Sequence, residues 1–83
     1  MSNTVVALRP ICDIAAEILP QISGNTRFYA EPYLLALLSC RSINDTYFAD
    51  DARTLVLYTL SNLTSWRGEQ ARALKAELKS HLN

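Results

Sequence analysis

Thr54-Leu55-Val56-Leu57-Tyr58-Thr59-Leu60-Ser61-Asn62-Leu63-Thr64-Ser65-Trp66 runs thirteen residues without a charged side chain. Its apolar members recur at helical rather than alternating spacing. At 3.6 residues per turn, Ala52, Leu55, Val56, Thr59 and Leu63 fall on one face with Leu60 beside it, while Leu57 and Tyr58 point elsewhere. The opposite side carries only Thr54, Ser61 and Asn62. Asp50-Asp51 places negative charge where a helix macrodipole favours it, so the stretch predicts a helix over 51–63.

Pro32 to Cys40 is a second uncharged stretch, rich in leucine. Glu31-Pro32 has the composition of a first turn and predicts a helix over 32–42. On it Leu34, Leu35, Leu37 and Leu38 cover a broad arc, Tyr33, Ala36, Cys40 and Ile43 occupy much of the remainder, and no charge arrives before Arg41. Upstream, Pro10 opens a helix over 10–19 that Pro20 discourages from continuing, with Ile11, Ile14, Ala15, Ile18 and Leu19 on one face and Asp13 and Glu17 away from it. Ser23-Gly24-Asn25-Thr26 reads as a turn, and residues 43–49 as a connection. Thr64-Ser65 is a polar break and N-cap before a last helix from 66 or 67 to 82, whose seam is Ala71, Leu74, Leu78 and Leu82. Gly68 is placed in its first turn. Glycine is scarce and no β-branched alternation appears, so the fold expected is all-α, a compact bundle of about four short helices in one domain over residues 1–83. Val5, Val6 and Leu8 form either an arm or one more helical turn.

A chain of 83 residues buries only about 60–65% of its unfolded surface, so its stability is small and often supplemented by disulfides, metals or a second subunit. Cys12 and Cys40 stand alone in apolar sequence and read as reduced thiols rather than as a zinc site or a disulfide framework. The N-terminus has no cationic signal segment, and neither uncharged stretch reaches the 18 or so residues that span a bilayer. A soluble, cytoplasmic protein is expected, with no membrane contact.

Eight Lys and Arg balance eight Asp and Glu, which removes the overall field that nonspecific nucleic-acid binders use. The charge is unevenly placed. Residues 66–83 hold Arg67, Arg72, Lys75 and Lys79 against Glu69 and Glu77. Arg72, Lys75 and Lys79 line one side of the last helix, where like charges repel unless the helix dipole or acids such as Asp45, Asp50 and Asp51 offset them. With Arg67 they form a stripe suited to a phosphate backbone or an acidic protein. As a helix-turn-helix, however, the segment offers only Arg67 and Gln70 near a helix start.

Parts for catalysis are lacking. His81 sits in the final turn, where a solvated or capping role is expected, and no glycine-rich phosphate loop or nucleophile signature accompanies it. The paired carboxylates Asp50 and Asp51 are accounted for by a helix start. No enzyme, cofactor or metal is expected. Among the aromatics, Phe28, Phe48 and Trp66 are expected in the core, whereas Tyr58 with Leu57, joined by Tyr47, is expected at an interface. Two middle helices without a charged face are either both wrapped by the rest of the chain or exposed to a partner. Twofold self-association is the common remedy.

The runs Asp51-Ala52-Arg53, Leu60-Ser61-Asn62-Leu63-Thr64-Ser65-Trp66-Arg67-Gly68-Glu69 and Ala73-Leu74-Lys75-Ala76-Glu77-Leu78-Lys79 resemble small uncharacterised proteins encoded by bacteriophages and prophages. The likeness covers roughly half of the chain and implies a genomic setting, with no active residue carried over. Such proteins often occupy a surface of a host protein. The function expected is a small protein-protein interaction module, homodimeric, using Leu57, Tyr58 and Tyr47. The alternative is a weak nucleic-acid binder using Arg67, Arg72, Lys75 and Lys79.

Overall fold

The computed structural model describes residues 8–83. Its elements are α1 (Ile11–Ile18), a 3₁₀ turn (Leu19–Gln21), α2 (Gly24–Leu37), β1 (Thr46–Tyr47), β2 (Asp50–Asp51), α3 (Ala52–Ser61) and α4 (Glu69–Ser80). Most of the described chain is helical. The all-α expectation needs one correction, because β1 and β2 form an antiparallel pair with Thr46 opposite Asp51 and Tyr47 opposite Asp50. Strands of two residues are too short to produce an alternating pattern, so the sequence carries no sign of them. The expectation for residues 1–7 lies outside the described residues, and Leu8 is exposed and non-helical.

The faces of α1 and α3 follow the periodicity. Ile11, Ile14, Ala15 and Ile18 are fully buried, as are Ala52, Val56, Thr59 and Leu63, with Leu55 almost so. Leu74 and Leu78 of α4 join the same core, with Leu60 and Leu82 packed partly buried against it. Buried Thr59 satisfies its hydroxyl by donating to the Leu55 carbonyl at 2.8 Å. Helices adjacent in sequence touch, and α4 returns to α1.

α2 begins eight residues before the expected start at Pro32. Gly24 opens it at φ 57°, a left-handed conformation that glycine adopts without steric cost. Pro32 lies inside the helix, where it removes the bond to the Phe28 carbonyl. Phe28 and Pro32 are both exposed, so water can reach the freed carbonyl. Arg27 then fastens the start of α2 to the end of α1: its guanidinium donates to the Leu19 carbonyl at 3.0 Å and to Glu31 at 2.8 Å.

The connections rest on carboxylates. Asp45 accepts from the backbone N–H groups of Arg41 and Ser42, and Asp51 caps α3 by accepting from the Thr54 N–H at 2.8 Å. These backbone donors hold both carboxyls below the usual carboxylate range, with the Thr54 hydroxyl adding to the effect at Asp51. The unfolded chain therefore takes up protons first. The stabilisation is complete above the ordinary carboxylate pKa near about 4 and is lost as pH falls through the depressed folded values. Thermal melting followed by circular dichroism should drop as pH is lowered from about 5, and Asp45→Asn with Asp51→Asn should flatten that slope. An unchanged slope in the double variant would show that these two groups are not responsible.

Gly68, expected within the first turn of the last helix, is instead the residue before it, at φ 117° and ψ 173°. That region is almost closed to other residues. Gly68→Ala should cost about 1–3 kcal/mol in urea unfolding, although the added methyl would meet no atom within 4 Å. A neutral result would contradict this backbone assignment.

His81 departs from expectation most clearly. It is buried rather than solvated, and its Nε2 lies 2.7 Å from the Arg9 carbonyl oxygen. The Arg9 side chain donates to Glu77 of α4 at 2.7 Å and to Glu17 of α1 at 3.2 Å. The chain entering α1 thus crosses the end of α4 and covers the imidazole.

Candidate functional site

Two surfaces stand apart from the rest of the molecule. The first is the outer side of α2 and α3. Tyr33 and Tyr58 meet with ring centroids 5.4 Å apart, and Thr26 shares a 2.8 Å hydrogen bond with Ser65. The start of α2 therefore lies beside the end of α3, and the two helices run antiparallel. Phe28, Pro32 and Leu35 fall at i, i+4 and i+7 on one stripe of α2, flanked by Tyr29 and Leu38. Phe28 is 73% exposed, Tyr29 59%, Leu35 51% and Leu38 40%. On α3, Leu57 and Tyr58 are each about half exposed.

Tyr29 stands one turn from Tyr33, which touches Tyr58, so the aromatic strip crosses from one helix to the next. Phe28 meets Tyr29 edge to face at 5.1 Å. Together these six residues leave on the order of 600 Å² in water, tyrosine hydroxyls and backbone included, spread over the outer sides of both helices. The nearest charges on α2, Arg27 and Glu31, are paired with each other at 2.8 Å. The two middle helices are therefore not wrapped by their own chain.

Of the three residues expected at an interface, the structure brings Leu57 and Tyr58 onto this surface. Tyr47 is elsewhere. It is half-buried against the core and meets Phe48 at 4.6 Å, in a hairpin joined to the N-terminal end of α3, about 9 Å along the axis from Tyr58. Phe28 and Phe48, expected in the core, are exposed, Phe48 at 86%. Phe48 occupies the hairpin turn at φ 56°, which turns its side chain out. Trp66 does pack against the core, as expected. Sequence reading missed Phe28 as a surface residue because it began the helix at Pro32; continued through the proline, the i, i+4, i+7 spacing places Phe28 on the stripe of Pro32 and Leu35.

The second surface is an open cleft where the α3–α4 connection meets α4. One lobe, of about 320 Å³, is lined by Thr64, Trp66, Arg67, Gly68, Arg72 and Lys75. An adjoining lobe of about 350 Å³ shares Thr64, Arg72 and Lys75 and adds Leu60, Ala76 and Lys79. All four cations of the expected stripe line this cleft, and no carboxylate does. Among the described residues no ion pair joins these cations to Asp45, Asp50 or Asp51. Lys75 instead donates to the carbonyl oxygens of Leu63 at 3.0 Å and Trp66 at 2.6 Å, carbonyls that follow the end of α3 and carry partial negative charge. Among the described residues, Arg67, Arg72 and Lys79 have no carboxylate within 4.0 Å, whereas Arg9 and Arg27 do.

Other chemistry finds little support in the geometry. Cys12 and Cys40 are free thiols, and burial pushes the Cys40 thiol pKa up, away from nucleophilic use. Among the described residues no three His, Cys, Asp or Glu side chains come together as a metal site, and no helix is long and apolar enough to cross a membrane. Comparison with protein-family models, curated proteins and solved structures found no match to this chain.

Proposed function

We propose that this protein is a binding module whose outer α2–α3 face pairs with a second copy of the chain, and that the resulting dimer acts by occupying the surface of another protein. The observation that carries this reading is the uncharged strip of Phe28, Tyr29, Leu35, Leu38, Leu57 and Tyr58, left in water by a single chain. The six side chains carry no charge, and the nearest charges on α2, Arg27 and Glu31, already satisfy each other. A second copy needs no complementary charge, and two antiparallel helices related by a twofold axis bury the same side chains on both sides. A standard interface buries roughly 800 Å² per partner; the strip would supply its apolar centre, and polar neighbours such as Ser39, Thr54 and Ser61 its rim.

The phage or prophage setting implied by the C-terminal half agrees with this reading, since a small accessory protein can act by covering a host surface. The test is oligomeric state against concentration, for the natural chain and for Tyr58→Asp. A mass that rises toward the dimer for the first and stays monomeric for the second supports the proposal, and a monomer throughout overturns it.

A further inference from the structure

The α2–α3 face makes no use of the basic cleft, and we propose that this cleft binds single-stranded nucleic acid, with Arg67, Arg72, Lys75 and Lys79 following successive phosphates and Trp66 offering its ring to a base. The zero net charge of the chain hides a local gathering of cations, although residues 66–83 as a whole exceed neutrality only mildly, with Glu69 and Glu77 beside them. Four of its eight Lys and Arg line this one depression, while Glu77, on the same helix, is turned to Arg9 at 2.7 Å.

The spacing favours a strand over a single anion. Arg72, Lys75 and Lys79 extend about 10 Å along α4, longer than one phosphate group, and Arg67 carries the row beyond the start of the helix. Lys75 has three donors, two of them given to the Leu63 and Trp66 carbonyls, so one remains for a ligand. An aromatic at the end of a cationic groove is the usual combination for unpaired strands, because every base has a face to stack and only the backbone has charge to attract. An acidic peptide would match the charges, but it has no base to set against the part of Trp66 that lines the cleft beyond its packing on the core.

The test is fluorescence anisotropy of an end-labelled single-stranded oligothymidylate, with the emission of Trp66, the one tryptophan of the chain, followed in parallel. With three or four phosphates engaged, affinity should fall about 20- to 50-fold between about 50 and 200 mM salt, and binding should quench Trp66. Arg72→Gln combined with Lys79→Gln should weaken binding at least tenfold with an unchanged thermal melt, because both residues are exposed. Arg67→Gln, outside any helix, should weaken it in the same direction. No anisotropy change at low salt overturns the proposal. So does equal binding by the double variant, or equally tight binding of thymidine monophosphate or polyglutamate.

Discussion

Leu34→Ala is expected to lower the free energy of unfolding by about 3 kcal/mol, within the range found for buried leucines truncated to alanine. Leu34 is fully buried in the last turn of α2 and belongs to the cluster shared by all four helices. An 83-residue chain has a total stability on the order of 4–12 kcal/mol, so this one truncation removes a quarter or more of it. Its neighbour Leu35 is half exposed. Leu35→Ala should therefore cost less than about 1 kcal/mol, provided urea unfolding is measured at concentrations where the chain is monomeric, since dimerisation adds stability that grows with concentration. Equal losses at the two positions would mean that α2 is rotated away from the orientation described, and the uncharged outer face would no longer exist.

The second large effect concerns association. Tyr58→Asp, or Leu35→Asp on the neighbouring helix, places a carboxylate in the centre of the proposed dimer contact, where it has no basic partner. Desolvating such a group without a partner costs several kcal/mol, so dimer affinity should fall at least about 100-fold, equivalent to about 3 kcal/mol. The fold of the single chain should survive, because both positions already face water. Circular dichroism at low concentration checks that point, and a loss of helicity there would assign Tyr58 to the core instead.

The elements whose faces are decided by periodicity were legible in the sequence. Ile11, Ile14, Ala15 and Ile18, and likewise Ala52, Leu55, Val56 and Thr59, are buried as their spacing requires, because one face of a short helix has one choice of neighbour. Where local chemistry competes with tertiary context, the reading failed. Pro32 has the signature of a helix start, yet it sits inside α2 because the bond that it removes falls on the exposed side. Phe28 and Phe48 are large and apolar, and size alone does not say which face of a helix or which side of a turn will carry them.

His81 read as a solvated or capping residue of the final turn, and it is the C-cap of α4, but no sequence pattern foretells that Arg9, 72 positions earlier, will lie across it. For the candidate surfaces, the exposure of Leu57 and Tyr58 and the stripe of Arg72, Lys75 and Lys79 followed from helix geometry. The continuation of the first onto Phe28 and Leu35, and of the second to Trp66 and Thr64, depended on which elements meet. Spacing within one helix cannot encode that.

Size-exclusion chromatography with light scattering, run over a wide range of concentrations, bears most directly on whether the outer α2–α3 face is an interface. The chain has a mass of 9.3 kDa. The natural protein should move toward twice that mass as concentration rises, while Tyr58→Asp stays at the monomer value throughout. A natural chain that remains at 9.3 kDa at every concentration, or a Tyr58→Asp variant that still doubles, would contradict it.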